Sequence, residues 1–272
     1  LRRATIARNL RAVSLPAQSP VRFNVLGTGV SALALTQARD LVLAARGRKQ
    51  LGYVCCATAY NVNFARSDTA LRAAYNRSYL TTPDGMPLVW LGRLHGHRGI
   101  TRVYGPDLMA AVCDAGRETG LRHFLYGGAP GVAAELRDRL TARFPGLQVA
   151  GTFTPPFRAL DATELAELRA CVAAARPDVI WVGLSSPAQE HFMAAHAASL
   201  DAGLLVGVGA AFDFLSGRRP QAPRWMQRSG LEWLHRLGTE PRRLWRRYLV
   251  HNPMFVLRTL AQLAGLGNYP VD

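Results

Sequence analysis

From Val21 onward, short runs of consecutive apolar residues alternate with longer stretches whose apolar residues recur at helical spacing. Strands covered on both faces read as continuous apolar runs, whereas a strand with one wet face alternates. Strands are therefore expected at Arg22-FNVLG, Gly52-YVCCATA, Leu80-TTPDG, His123-FLYGG, Leu147-QVAGTF, Val179-IWVGL and Leu204-LVGVGAAFDF. Helices are expected over residues 32–46, 62–75, 86–94, 130–144, 161–175 and 187–199, with Gly47 as a stop and Pro130 as a start. Alternating strand and helix predict an α/β fold: a Rossmann-like open parallel sheet with helices on both faces and right-handed crossovers.

After Gly217 the rhythm changes to helices dense in Arg and Trp, with Pro241 and Pro253 expected to begin new segments. The chain thus divides into a basic N-terminal tail (1–20), an α/β core (21–217) and a C-terminal Arg/Trp-rich helical appendage (218–272). Between Arg218 and Arg258 lie ten arginines and two acids, Glu232 and Glu240, a net +8 out of +15 for the chain. Trp225, Trp233, Trp245 and Tyr248 are interleaved with that charge. Such a segment suits phosphates backed by something apolar: a lipid headgroup layer, a nucleotide diphosphate or nucleic acid.

Composition narrows the choice. A chain of 272 residues, 49% of them apolar, can bury a full core. Its cations are almost all arginine, whose planar fork grips phosphate as lysine cannot. A general richness in Ala, Arg, Gly and Leu accounts for part of the scattered excess but not for its local concentration. Cys55, Cys56, Cys113 and Cys171 form no CxxC pair and no zinc spacing, which fits a reducing, cytoplasmic setting. There is no run of about eighteen apolar residues to span a bilayer, and no signal-type apolar block among the first residues.

In a parallel sheet, ligands gather at the C-terminal strand ends. Asp84, between Pro83 and Gly85, is a lone acid on a turn after a strand, fit for a general base or for an Asp-Gly turn. Gly127 and Gly128, at Tyr126-GGAPG, would let a phosphate approach backbone N–H groups, or simply make a tight turn. Gln189 and Glu190 open a helix after Val179-IWVGL and could hold sugar hydroxyls, or simply cap that helix and meet its dipole. Asp213 follows the small residues of Gly207-VGAAFDF. Arg102 is a candidate anion contact, or a solvated surface arginine. No DxD clasp, P-loop, GxSxG or HExxH is present, so no metal or cofactor is expected. A nucleic-acid-binding protein is the alternative raised by the pI of about 10.9, though no recognition-helix or RRM signature supports it and no nucleic-acid partner is expected. A nicotinamide oxidoreductase would want GxGxxG, which Gly27-TGVSA only partly imitates.

Taken together, Thr82-PDGMPLVW, Arg102-VYGPDL, Phe124-LYGGAPG, Pro187-AQE, Val206-GVGAAFD and the APRW…GLEWLHRL…EPRRLWRRYL block resemble the WecG/TagA/CpsF glycosyltransferases, in order over residues 22–250. The resemblance implies an inverting, metal-independent transfer of a hexosyl unit (N-acetylmannosamine, its uronic acid or glucose) from a UDP-sugar. The acceptor it implies is a polyprenyl-diphosphate-linked sugar at the cytoplasmic face of a bacterial plasma membrane, in cell-surface polysaccharide synthesis. The enzyme would associate peripherally with that anionic surface, and a homo-oligomer is allowed for. On this resemblance Asp84 is the base, Arg102 and Gln189 fall on motif positions, and Arg236, Arg243 and Arg246 are the arginines expected over the diphosphate. The family's T-x-N falls here on Cys56 and Thr58, with Asn61 and Asn63 just beyond, so a hydrogen-bonding site around Thr58 and Asn61 is expected to be rebuilt. Gln221 stands where an Arg often precedes Ala-Pro.

Overall fold

The computed structural model describes residues 20–48 and 51–271; the tail expected over 1–20 lies, except for its last residue, outside them. Six parallel strands form the central sheet in the order β4-β3-β8-β7-β5-β6. They are β3 (Tyr53–Ala57), β4 (Leu80–Pro83), β5 (Arg122–Gly127), β6 (Gln148–Phe153), β7 (Val179–Gly183) and β8 (Leu204–Gly207). Every residue of β3, β4 and β8 is buried; the unbroken apolar runs of β3 and β8 announce it, whereas β4 buries the polar Thr81 and Thr82. The edge strand β6 is the exception, half-exposed along its length. This is the Rossmann-like α/β architecture that the alternation predicts.

Two apolar layers clothe the sheet. One holds α1 (Leu35–Leu43), α5 (Gly105–Thr119), α6 (Val132–Arg143) and α9 (Ala211–Leu215). The other holds α2 (Ala59–Ala65), α3 (Thr69–Arg77), α4 (Met86–Leu94), α7 (Ala162–Ala175) and α8 (Ala188–His196). Trp181 is fully buried on β7 and donates its indole N–H to His123 Nδ1 on β5 at 2.9 Å.

Four expectations are corrected. Arg22-FNVLG does not join the parallel sheet; β1 (Arg22–Val25) pairs antiparallel with β2 (Thr28–Ser31) as a separate hairpin. Leu26 and Gly27 both have positive φ, 51° and 86°, the two-residue turn whose twist matches a hairpin. The helix expected over 62–75 is two helices, because Asp68 accepts a hydrogen bond from Leu71 N–H and starts α3 afresh. The last strand stops at Gly207, and Asp213 lies on α9. Between Leu94 and His123, where no element was expected, the structure has the 15-residue helix α5.

Beyond Gly217 the chain is helical: α10 (Arg224–Arg228), α11 (Glu232–Thr239), α12 (Pro241–Trp245), a π-helical turn (Arg246–His251) and α13 (Asn252–Leu263). Pro241 begins α12 and Pro253 stands in the first turn of α13, as expected, although helical backbone runs unbroken from 241 to 263 through the π turn between them. Proline lacks an N–H and crowds the carbonyl four residues back, and a wider turn relieves that conflict. The C-terminal segment packs on the β1–β2 hairpin and on α2. Gln262 accepts from Leu26 N–H at 2.9 Å, Asn24 donates to the Tyr269 carbonyl at 2.6 Å, and Arg258 donates to Asn63 at 2.6 Å.

Candidate active site

A pocket opens at the C-terminal ends of β3 and β4 and is roofed by α11 and the π turn. Thr58, Asp84, Arg102, Tyr104, Glu232, Arg236, Arg247 and Tyr248 line it. Asp84 is fixed by the sheet itself: it follows Pro83, which pairs with Ala57, and its own N–H donates to the Ala57 carbonyl at 2.9 Å. Val103 N–H bonds the Pro83 carbonyl at 2.9 Å, which carries Arg102 alongside. Arg102 Nε then donates to the Asp84 carbonyl, and its Nη2 lies 3.6 Å from Asp84 Oδ1.

The electrostatics oppose one another at Asp84. Its carboxyl is raised to about 7 on balance: burial pushes it up most, Arg102, Arg247 and Arg236 pull against that, and Glu232 adds to the rise. A group poised near neutrality accepts and releases protons readily. Around it three guanidiniums face two carboxylates. Burial holds the Arg247 guanidinium below its ordinary value, and Arg236 adds to the effect. Arg236 and Arg247 each carry a buried Nε–H without a hydrogen-bond partner among the described residues. An unsatisfied buried donor costs on the order of 1–3 kcal/mol, a cost that an anion accepting both N–H groups removes.

Behind the pocket a chain of donors runs in one direction into the core. Arg247 donates to Thr58 Oγ1 at 3.2 Å, Thr58 to Asn61 Oδ1, Asn61 to Ser186 Oγ, and Ser186 to Glu190 Oε2 at 2.7 Å. Tyr75 also donates to Glu190, at 3.3 Å. Glu190 is 1% exposed, and burial raises its carboxyl pKa. Thr58 and Asn61, around which a hydrogen-bonding site is expected, are thus joined to each other and, through Ser186, to Glu190.

The sequence candidates separate into groups. Asp84, Arg102, Thr58 and Arg236 line the pocket, and Asn61 and Glu190 reach it through that chain. Gln189 is buried and does not line the pocket; its Oε1 accepts from Gly209 N–H at 2.8 Å. Gly127, Gly128, Asp213, Arg243 and Arg246 are not brought to it. A Cβ on Gly127 would lie 2.6 Å from the Gly183 carbonyl oxygen, and Gly128 N–H is already bonded to that oxygen at 3.1 Å. Asp213 pairs with Arg219 and Arg243 with Glu240. Arg246 lies over the Trp245 ring, 5.2 Å from its centroid. The sequence reading missed Arg247, Tyr104 and Glu232. Neighbouring arginines on an expected helix cannot be ranked until the π turn fixes which faces inward. Glu232, one of two acids among ten arginines, carried a signal in its rarity.

The outer side of the C-terminal helices is apolar and exposed, including Trp245, Leu249, Val256, Leu257, Leu260 and Leu263. No helix of the described residues is long and apolar enough to cross a membrane.

Comparison with known proteins adds a family and two relatives. The Glycosyl transferase WecG/TagA/CpsF family matches residues 23–268. An N-acetylglucosaminyldiphosphoundecaprenol N-acetyl-beta-D-mannosaminyltransferase of Bacillus spizizenii is 36% identical over 167 residues, 61% of this chain and 63% of that protein. The protein of the same description from Bacillus subtilis is 31% identical over 180 residues, 66% of this chain and 68% of that protein. The matched stretch therefore spans about two thirds of the length of these curated relatives.

Proposed function

Since the chain belongs to the WecG/TagA/CpsF family of glycosyl transferases, we propose that it moves a hexosyl unit from a UDP-sugar to a polyprenyl-diphosphate-linked sugar, with Asp84 as the general base. The observation that carries this reading is the pairing of one near-neutral carboxyl with two half-buried arginines whose buried Nε–H groups have no partner among the described residues. The acceptor hydroxyl gives its proton to Asp84. Its oxygen attacks the anomeric carbon opposite the leaving diphosphate, the bond to UDP breaks, and the anomeric configuration inverts. Arg236 and Arg247 take up the charge that develops on the leaving phosphate, an electrostatic contribution realised mainly in the transition state.

The relatives' names suggest N-acetylmannosamine as the transferred sugar and diphosphoundecaprenol-linked N-acetylglucosamine as the acceptor. Thr58, held between Arg247 and Asn61, is the side chain we assign to contact sugar or phosphate beside the base. The apolar outer face of α12 and α13, flanked by exposed Arg242, Arg243 and Arg246, fits the interface of an anionic bilayer. There the rings and leucines would enter the acyl boundary and the guanidiniums meet headgroups. Division of labour among the arginines follows: inward-facing Arg236 and Arg247 serve the donor, outward-facing Arg243 and Arg246 the membrane. A general polyanion surface would keep its arginines outward, and the burial of Arg236 and Arg247 speaks against it.

The test is a panel of UDP-sugars incubated with a synthetic lipid-diphosphate N-acetylglucosamine acceptor, with products read by mass spectrometry. Transfer of one hexosyl unit from one donor is expected. Absence of transfer from every donor would overturn the reading.

A further inference from the structure

Glu232 opens α11, yet its carboxylate reaches a side chain that precedes it by 130 residues. Arg102 Nη2 donates to Glu232 Oε2 at 2.5 Å, and the same Nη2 lies 3.6 Å from Asp84 Oδ1. The Arg102 guanidinium is held on two further sides, by the Asp84 carbonyl through Nε and by the Tyr104 ring, 4.0 Å from its centroid. Glu232, Arg102 and Asp84 are 13%, 16% and 18% exposed, so water screens their interactions weakly. One guanidinium is shared unequally between two carboxylates, and the closer contact belongs to Glu232.

We propose that Glu232 is a positioning residue that holds the Arg102 guanidinium away from the Asp84 carboxylate and leaves Asp84 free to accept a proton. The proposal rests on the reading of Asp84 as the base. A close charge-assisted contact from Arg102 would stabilise the Asp84 anion and make it a weak base. With Glu232 as the preferred partner, Arg102 keeps its hydrogen bond to the Asp84 backbone while its charge is largely met elsewhere. The charged groups facing Asp84 are Arg102 from the loop before α5, Glu232 and Arg236 from α11, and Arg247 from the π turn; Cys56 on β3 and Tyr104 are its other titratable neighbours. Glu232 is the one carboxylate among them, and its charge opposes the three arginines. A helix that packs over the pocket thereby sets the strength of a base carried by the sheet.

The experiment follows the Asp84 carboxyl by carbon-13 NMR in the full chain, in wild type, Glu232→Gln and Glu232→Asp, alongside the pH profile of kcat/KM. Glu232→Gln keeps the length and an acceptor oxygen for Arg102 but removes the charge. Its Asp84 midpoint is expected to fall by about one pH unit, the acid limb of kcat/KM to fall with it, and the plateau to drop about tenfold as the base weakens. Glu232→Asp keeps the charge and is expected to hold the midpoint near that of wild type. An unmoved midpoint in Glu232→Gln overturns the proposal even where activity falls, because a purely structural role lowers activity without shifting a titration. An equal fall in Glu232→Asp overturns it too. The NMR arm needs no substrate, so a moved midpoint without turnover on any UDP-sugar supports the coupling and counts against the transferase reading instead.

Discussion

Arg247 donates to Thr58 Oγ1 at 3.2 Å, joining the π turn to the residue that caps the helix after β3. Thr58 in turn is braced through Asn61 and Ser186 on the buried Glu190. The guanidinium that faces the pocket is therefore anchored to the core, although it lies in a helix whose outer side faces solvent.

That anchoring separates arginines that look equivalent in sequence. Arg247→Ala is expected to weaken UDP binding by about 10- to 100-fold, the loss of one buried charge-assisted contact. Arg243, half-exposed and tied to Glu240 at 2.6 Å, is expected to be replaceable by Ala with less than about a twofold change. Isothermal titration calorimetry with UDP checks both. Equal losses in the two variants would contradict the assignment.

Gly127 makes a different kind of prediction. Its φ is 126° and its Cβ would meet the Gly183 carbonyl, so Gly127→Ala is expected to destabilise the fold by several kcal/mol, about the cost of a strained and overpacked core position. Because Gly127 lies outside the pocket, UDP affinity of the remaining folded protein should be unchanged. Thermal melts and UDP titration together decide between this role and a phosphate cradle.

Much of the site was legible in the sequence, and the remainder has physical causes. Asp84 and Arg102 were visible because a lone acid at a strand end and an arginine ahead of a helix occupy places set by local backbone. Strands β3, β5, β7 and β8 were visible because burial on both faces leaves runs dominated by apolar residues. The hairpin was not, since Leu26 takes a left-handed conformation that apolar residues rarely adopt. Arg247 was hidden because its inward direction depends on a π turn ahead of Pro253. Ser186 was hidden because its partners, Asn61 and Glu190, meet it only through the tertiary fold.

His123 is expected to set an acid limit on the fold. It is 1% exposed and accepts from Trp181, and burial lowers its pKa to about 4 from 6.5. The folded state thus holds His123 neutral, while the unfolded chain takes up a proton below about 6.5. The stabilisation is complete above that pH and is lost as pH falls toward 4, on the order of 3 kcal/mol in all. Urea unfolding at a series of pH values should show this loss in wild type and a smaller one in His123→Gln.

The outer face of α13 is expected to carry bilayer affinity. Leu257 and Leu260 are 68% and 57% exposed, so Leu257→Glu with Leu260→Glu should leave the melting temperature nearly unchanged. Sedimentation with vesicles containing phosphatidylglycerol should fall about tenfold or more, since each buried leucine contributes roughly 1.5–3 kcal/mol. Undiminished sedimentation would move the contact to another surface.

The central claim is that Asp84 is the base of a sugar transfer assisted by half-buried arginines, and it is tested most directly by comparing wild type with Asp84→Asn. Asparagine keeps the shape of the side chain and removes a carboxylate whose ionisation burial opposes, so the variant should fold and bind UDP as wild type does. Its transfer of a hexosyl unit to the lipid-diphosphate acceptor should fall by about 10²- to 10⁴-fold, the span of general-base catalysis. Turnover in Asp84→Asn equal to wild type, with UDP binding retained, would contradict the account.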